Sequence, residues 1–110
     1  MNKRFSAEEL YQIRTYLPIR AVIDELLGIP CKEIEGISRF VCPACFEMQT
    51  GINFRTNLSR CFRCESNFNT IDLVMKARQS SFVAAVKLLQ EFWRKLARQK
   101  PSFDILKVVC

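Results

Sequence analysis

The chain contains no histidine. Acid–base and nucleophilic catalysis therefore lose their commonest participant. Aspartate is scarce as well. Asp24, Asp72 and Asp104 are too scattered to form the paired carboxylates of a divalent-metal catalytic centre. No apolar run approaches the roughly 18 residues of a membrane span. There is no internal repeat and no low-complexity tract. The N-terminus carries no signal-peptide pattern, so an oxidising compartment is not implied and the cytoplasm is expected. What remains is 110 residues, 49% hydrophobic and 25% charged, the proportions of one globular domain. These absences point to a binding module and away from an enzyme.

Six cysteines are present, and four of them form a pattern. Cys42-Pro-Ala-Cys45 and Cys61-Phe-Arg-Cys64 read C-x2-C-x15-C-x2-C, within the range of a four-cysteine zinc site. Two residues between cysteines let one tight turn aim both thiolates at one ion. The spacer suits two short strands and a turn that bring the pairs together. Four thiolates fill a tetrahedral shell and leave no position for water, so the expected zinc is single and structural. A single iron, a redox pair and disulfides remain as other uses of the same sulfurs. Cys31 fits neither pair and reads as a small apolar residue. Cys110 reads as an unpaired tail thiol.

Seventeen basic and eleven acidic residues give a formal charge of +6, which suggests an anionic partner. Four bound thiolates and a divalent ion bring it to about +4. Residues 34–68 are close to neutral once loaded. A nucleic-acid surface there must come from local arrangement.

In chain order, a short basic lead runs to Phe5. Ser6-Ala-Glu-Glu9 is a capping box and starts a helix with Leu10, Ile13 and Leu17 on one side. Pro18 interrupts it. Ile19, Val22, Ile23, Leu26 and Leu27 resume the helical spacing until Gly28 and Pro30 stop it. Residues 31–38 read as a connector and Arg39-Phe-Val41 as a strand. Gly51–Phe54 and Leu58–Phe62 alternate with period two around a turn at Arg55-Thr-Asn57. Asn69 or Thr70 caps the next helix, with Ile71, Val74 and Met75. Ser80 or Ser81 caps a longer one, whose stripe is Phe82, Ala85, Val86, Leu89, Trp93 and Leu96. Its other face carries Lys87, Glu91, Arg94, Lys95 and Arg98, and Pro101 ends it. The expected class is α+β: a zinc ribbon of about three antiparallel strands flanked by N- and C-terminal helices. One zinc-binding domain spans 1–110. Helices occupy 1–30, the ribbon 37–66, further helices 69–99 and an apolar tail 101–110.

Beyond the cysteines, Asn69-Thr-Ile-Asp-Leu-Val-Met75 and Phe82-Val-Ala-Ala-Val-Lys-Leu-Leu89 follow in a set order. Over about residues 18–90 the chain resembles the N-terminal zinc-binding domain of DnaG-type bacterial and phage DNA primases. That family runs from a leading helix through C-P-x-H, a strand pair and C-F-x-C to two helices of these types. Cys45 stands where the family has histidine. Arg63, Glu65, Asn67 and Phe68 replace glycines common around the second pair. The catalytic TOPRIM domain of a complete primase has no counterpart here. The capped start and the extra tail read as a complete small protein, from a phage or mobile element.

The resemblance implies binding of single-stranded DNA template in replication, without a catalytic centre of its own. Arg39, Arg55, Arg60 and Arg63 are the expected phosphate ligands. Phe40, Phe54 and Phe62 are the expected base-stacking rings. A helicase, polymerase or primase catalytic subunit would be the protein partner, and no membrane is involved. The alternative is a zinc-stapled adaptor whose apolar tail docks a polymerase, helicase or transposase.

Overall fold

The computed structural model describes residues 5–99. The expectations for the basic lead before Phe5, for Pro101, and for the tail with Cys110 fall outside them. Helix α1, Ala7–Thr15, begins as expected. The Ser6 side chain accepts from the Glu9 N–H at 3.0 Å, and Glu9 accepts from the Ser6 N–H at 2.8 Å. Pro18 lacks an N–H and breaks the run. Helix α2, Ile19–Ala21, restarts after it and widens directly into a π-helical stretch, Val22–Leu27. Gly28 ends that stretch at φ 63, the left-handed conformation that glycine adopts without steric penalty.

Five strands follow in an antiparallel meander, spatially ordered β1-β2-β3-β4-β5. They are Cys31–Ile34, Ile37–Phe40, Thr50–Asn53, Leu58–Cys61 and Asn67–Phe68. The sheet is larger than the expected ribbon because residues 31–38 are no connector. Cys31 pairs with Phe40 and Ile34 with Ile37 across a two-residue turn at Glu35 and Gly36. Both turn residues have positive φ, 54° and 80°, which matches the right-handed twist of the flanking strands. A glycine between two tetrapeptides with apolar ends, Cys31-Lys-Glu-Ile34 and Ile37-Ser-Arg-Phe40, was the available signal. Cys31, expected as a small apolar residue, packs half-buried against the core, but it is disulfide-bonded and not a free thiol.

Helix α3, Thr70–Arg78, is capped by Asn69, whose Oδ1 accepts from the Asp72 N–H at 2.7 Å. Thr70 is no cap. It is buried, and its hydroxyl donates to the Ile13 carbonyl at 2.9 Å, tying α3 to α1. Ser81 caps α4, Phe82–Gln99, by accepting from the Ala84 N–H at 3.1 Å. The helices cover one face of the sheet. Leu17, Ile19, Ile23, Leu73, Val74, Val86 and Leu89 bury there with Phe40, Ile52 and Phe68 from the strands. Among the described residues, no helix is long and apolar enough to cross a membrane.

One side chain repairs the break at Pro18. Interruption of α1 strands the Arg14 and Leu17 carbonyls and the Ile19 N–H. Asn57, in the β3–β4 turn, meets all three. Its Nδ2 donates to Leu17 at 2.7 Å and to Arg14 at 2.9 Å, and its Oδ1 accepts from Ile19 at 2.9 Å. It does so from a left-handed backbone at φ 59, which asparagine tolerates. Asn57→Ala is expected to cost about 2–3 kcal/mol by leaving buried backbone groups unpaired. Urea unfolding checks this; a loss under about 0.5 kcal/mol would match a surface site and refute the latch.

Candidate metal centre and the outer face of the sheet

The two C-x-x-C turns are built alike. Cys42 follows β2, and its carbonyl accepts from the Phe46 N–H at 2.8 Å while its own N–H donates to Glu47 at 2.9 Å. Cys61 ends β4, and it repeats these bonds with the Glu65 N–H at 2.8 Å and the Ser66 carbonyl at 2.9 Å. At the matched position each turn goes left-handed, at Phe46 (φ 66) and Glu65 (φ 61). Glu65 thus adopts a conformation that glycine would take at no steric cost. The turns fold backbone donors under the first sulfur of each pair. Ala44 N lies 3.3 Å from Cys42 Sγ, and the nitrogens of Arg63 and Cys64 each lie 3.4 Å from Cys61 Sγ.

The meander brings the pairs together. All four sulfurs lie within 4.8 Å of one another. Cys42 and Cys64 are 3.8 Å apart, and Cys45 and Cys61 are 3.6 Å apart. No disulfide joins these four, which excludes that use of them in this structure. Cys42 and Cys61 are buried, Cys45 is half-buried and Cys64 is exposed. The cluster can hold one metal ion.

Without an ion the thiols differ sharply. For Cys45 a backbone hydrogen bond at Glu47 lowers the pKa. Burial and the neighbouring thiols of Cys61, Cys42 and Cys64 outweigh it, pushing it up to about 12. Burial acts to raise Cys61, yet the backbone donors of Cys64 and Arg63 and the adjacent thiols bring it down to about 6. Cys64 is lowered by Ser66, whose hydroxyl lies 3.3 Å from its sulfur. Cys45 holds its proton more tightly than Cys61, so a metal ion entering the cluster would displace protons.

The remaining predicted site residues divide by face. Phe40 is fully buried against the helices and cannot stack a base. Strand alternation is the reason: Arg39 points outward, so its neighbour points inward. Arg55 is exposed in the β3–β4 turn, and Arg63 is exposed on the second metal turn. Arg39 and Arg60 share one cross-strand row. In register, Lys32 faces Arg39, Arg39 faces Gly51, Gly51 faces Arg60, and Arg60 faces Asn67. Three cations therefore line one row of the uncovered face, with no acid in it.

Gly51 lets a ring lie across that row. A Cβ there would meet Phe62 Cε2 at 3.0 Å, so the missing side chain makes room for Phe62. The Arg39 guanidinium sits 5.5 Å from the Phe62 ring centroid. Phe62 is 55% exposed and Phe54 58%, and Leu58 and Ile37 beside them are exposed too. Phe54, Leu58, Arg60 and Phe62 line a shallow concavity of about 630 Å³ with no acid among the described residues that form it. An outward face of a two-layer fold is ordinarily polar. Here it is apolar, aromatic and cationic. Sequence reading missed Lys32 and Gly51, since both enter through register.

Compared with known proteins, the chain matches no family model and no curated sequence.

Proposed function

We propose that the chain is a zinc-ribbon module that binds single-stranded DNA on the outer face of its sheet. The observation that carries this reading is the Lys32–Arg39–Gly51–Arg60–Asn67 row with Phe62 laid across it. Flat, exposed rings offer stacking to unpaired bases at about 1–3 kcal/mol each. The cations beside them suit phosphates. A duplex hides the faces of its bases, so the rings favour a single strand.

Zinc is the proposed ion. A tetrahedron with zinc–sulfur bonds of about 2.3 Å has edges of about 3.8 Å; two of the six sulfur pairs lie 3.8 and 3.6 Å apart, and all lie within 4.8 Å. With its shell closed by Cys42, Cys45, Cys61 and Cys64, the ion would have a structural role. The primase-like motifs support a place in DNA replication. A polymerase, helicase or primase catalytic subunit would supply the chemistry, with this module as its binding part.

Anisotropy of labelled oligothymidine, titrated with zinc-loaded protein at several salt concentrations, tests the reading. Saturable, salt-sensitive binding that chelation abolishes is expected. Arg60→Ala with Arg63→Ala should weaken binding and reduce the salt slope by about 1.4, at about 0.7 per lost phosphate contact. An unchanged slope would move the site to the Lys87, Arg94, Lys95 and Arg98 face of α4. Absence of binding at low salt would make the chain a protein–protein adaptor instead.

A further inference from the structure

A second arginine–phenylalanine pair lies in the fold, and half of it comes from outside the ribbon. Arg20, on α2, holds its guanidinium 5.9 Å from the Phe54 ring centroid. The arrangement repeats that of Arg39 over Phe62, at 5.5 Å. Both rings are more than half exposed and both line the same concavity. Two rings of this kind on one wetted face are not needed for the core, which closes on the other side of the sheet.

The corner bearing Arg20 is held in place. Asn57 bonds the Ile19 N–H, next to Arg20, from the same turn that carries Phe54. Arg20 is only 17% exposed on its side chain, so most of it packs against its neighbours. Its ion pair is loose: Nε stands 3.4 Å from Asp24 Oδ2, and neither atom makes a hydrogen bond. The guanidinium therefore rests between the Phe54 ring and the Asp24 carboxylate.

We infer that the outer face takes two nucleobases, one on Phe62 and one on Phe54, and that Arg20 positions the second ring. This rests on the single-stranded DNA reading above. Each platform is a phenylalanine with an arginine packed on it: the guanidinium fixes the ring and places a positive charge beside the base it receives. The helical pair α1–α2 then belongs to the binding site through Arg20, in addition to its part in the core. Among single-stranded polyanions, one with flat apolar rings between its charges fits two such platforms.

The test uses the full zinc-loaded chain and labelled oligothymidine, with thermal midpoint and metal content as folding controls. Phe54→Ala and Phe62→Ala should each weaken binding by about 5- to 150-fold, and their effects should multiply, because the platforms are separate. Arg20→Ala should weaken binding but add little on top of Phe54→Ala, because it acts through that ring. Arg20→Lys should recover part of the loss. If Arg20→Ala disturbs folding by leaving Asp24 without its partner, Arg20→Ala with Asp24→Ala gives the same readout. Wild-type affinity in Phe54→Ala, or effects of Arg20→Ala and Phe54→Ala that multiply, would overturn the inference and leave the DNA reading standing. A wild-type chain that binds no single strand would remove both.

Discussion

Cys61→Ala is expected to abolish the folded state of the ribbon. Cys61 is fully buried, and it serves two structures at once. It is the last residue of β4, paired with Thr50 of β3, and its sulfur lies 3.6 Å from that of Cys45. Its sulfur also receives the backbone donors of Arg63 and Cys64, which shape the second metal turn. Apparent zinc binding by such sites supplies on the order of 10–16 kcal/mol. A domain of this size has a net stability of about 5–15 kcal/mol. Losing most of the metal term therefore leaves little to oppose chain entropy. Chelation of the wild-type protein should act in the same direction. Far-UV circular dichroism and metal stoichiometry check this together. A Cys61→Ala variant with native stability and one ion per chain would defeat the four-cysteine assignment.

Phe40→Ala should cost about 3–5 kcal/mol, the range for emptying a phenylalanine site in a closed core. Phe40 is fully buried, paired with Cys31 on one side and Thr50 on the other, and it packs beneath the helices. Phe62→Ala gives the contrast. That ring is 55% exposed over Gly51, so its loss leaves no cavity and should shift stability by roughly 0.5 kcal/mol or less. Denaturant midpoints at constant slope measure the difference. Equal losses from the two variants would mean that Phe62 is core as well, and the proposed DNA face would lose its principal ring.

These two phenylalanines show where sequence reading stops. Both lie next to a predicted phosphate ligand, and both follow an apolar–Ser–Arg run, Ile37-Ser-Arg39 and Leu58-Ser-Arg60. Which one faces the helices depends on the parity of its strand, and a one-residue shift of register exchanges the faces. The parity follows from the β1–β2 hairpin, which pairs Arg39 with Lys32 and sets both outward. In sequence that hairpin looks like a connector, because Cys31–Ile34 is short and its turn is Glu-Gly, not one of the favoured asparagine–glycine or aspartate–glycine pairs. Once the hairpin is missed, Lys32 cannot be placed on the binding face.

Other features were legible because their energetics are local. The Ser6–Glu9 box closes within four residues, the cap before α3 narrows in sequence to Asn69 or Thr70, and Gly28 stops its helix through its own backbone. The two C-x-x-C turns need only a few hydrogen bonds inside each turn to point their sulfurs inward. Sequence spacing therefore sufficed for the four-cysteine cluster, the helix starts and the α+β class. Tertiary structure alone made Phe40 core and Phe62 surface, joined Lys32, Arg39 and Arg60 across the sheet, and carried Arg20 to Phe54. It also brought Asn57 to the gap at Pro18, some forty residues away in sequence. The physical division is one of range. Caps and turns minimise free energy within a few residues. Faces and rows are chosen by burying one side of the sheet, a choice that engages the whole chain at once.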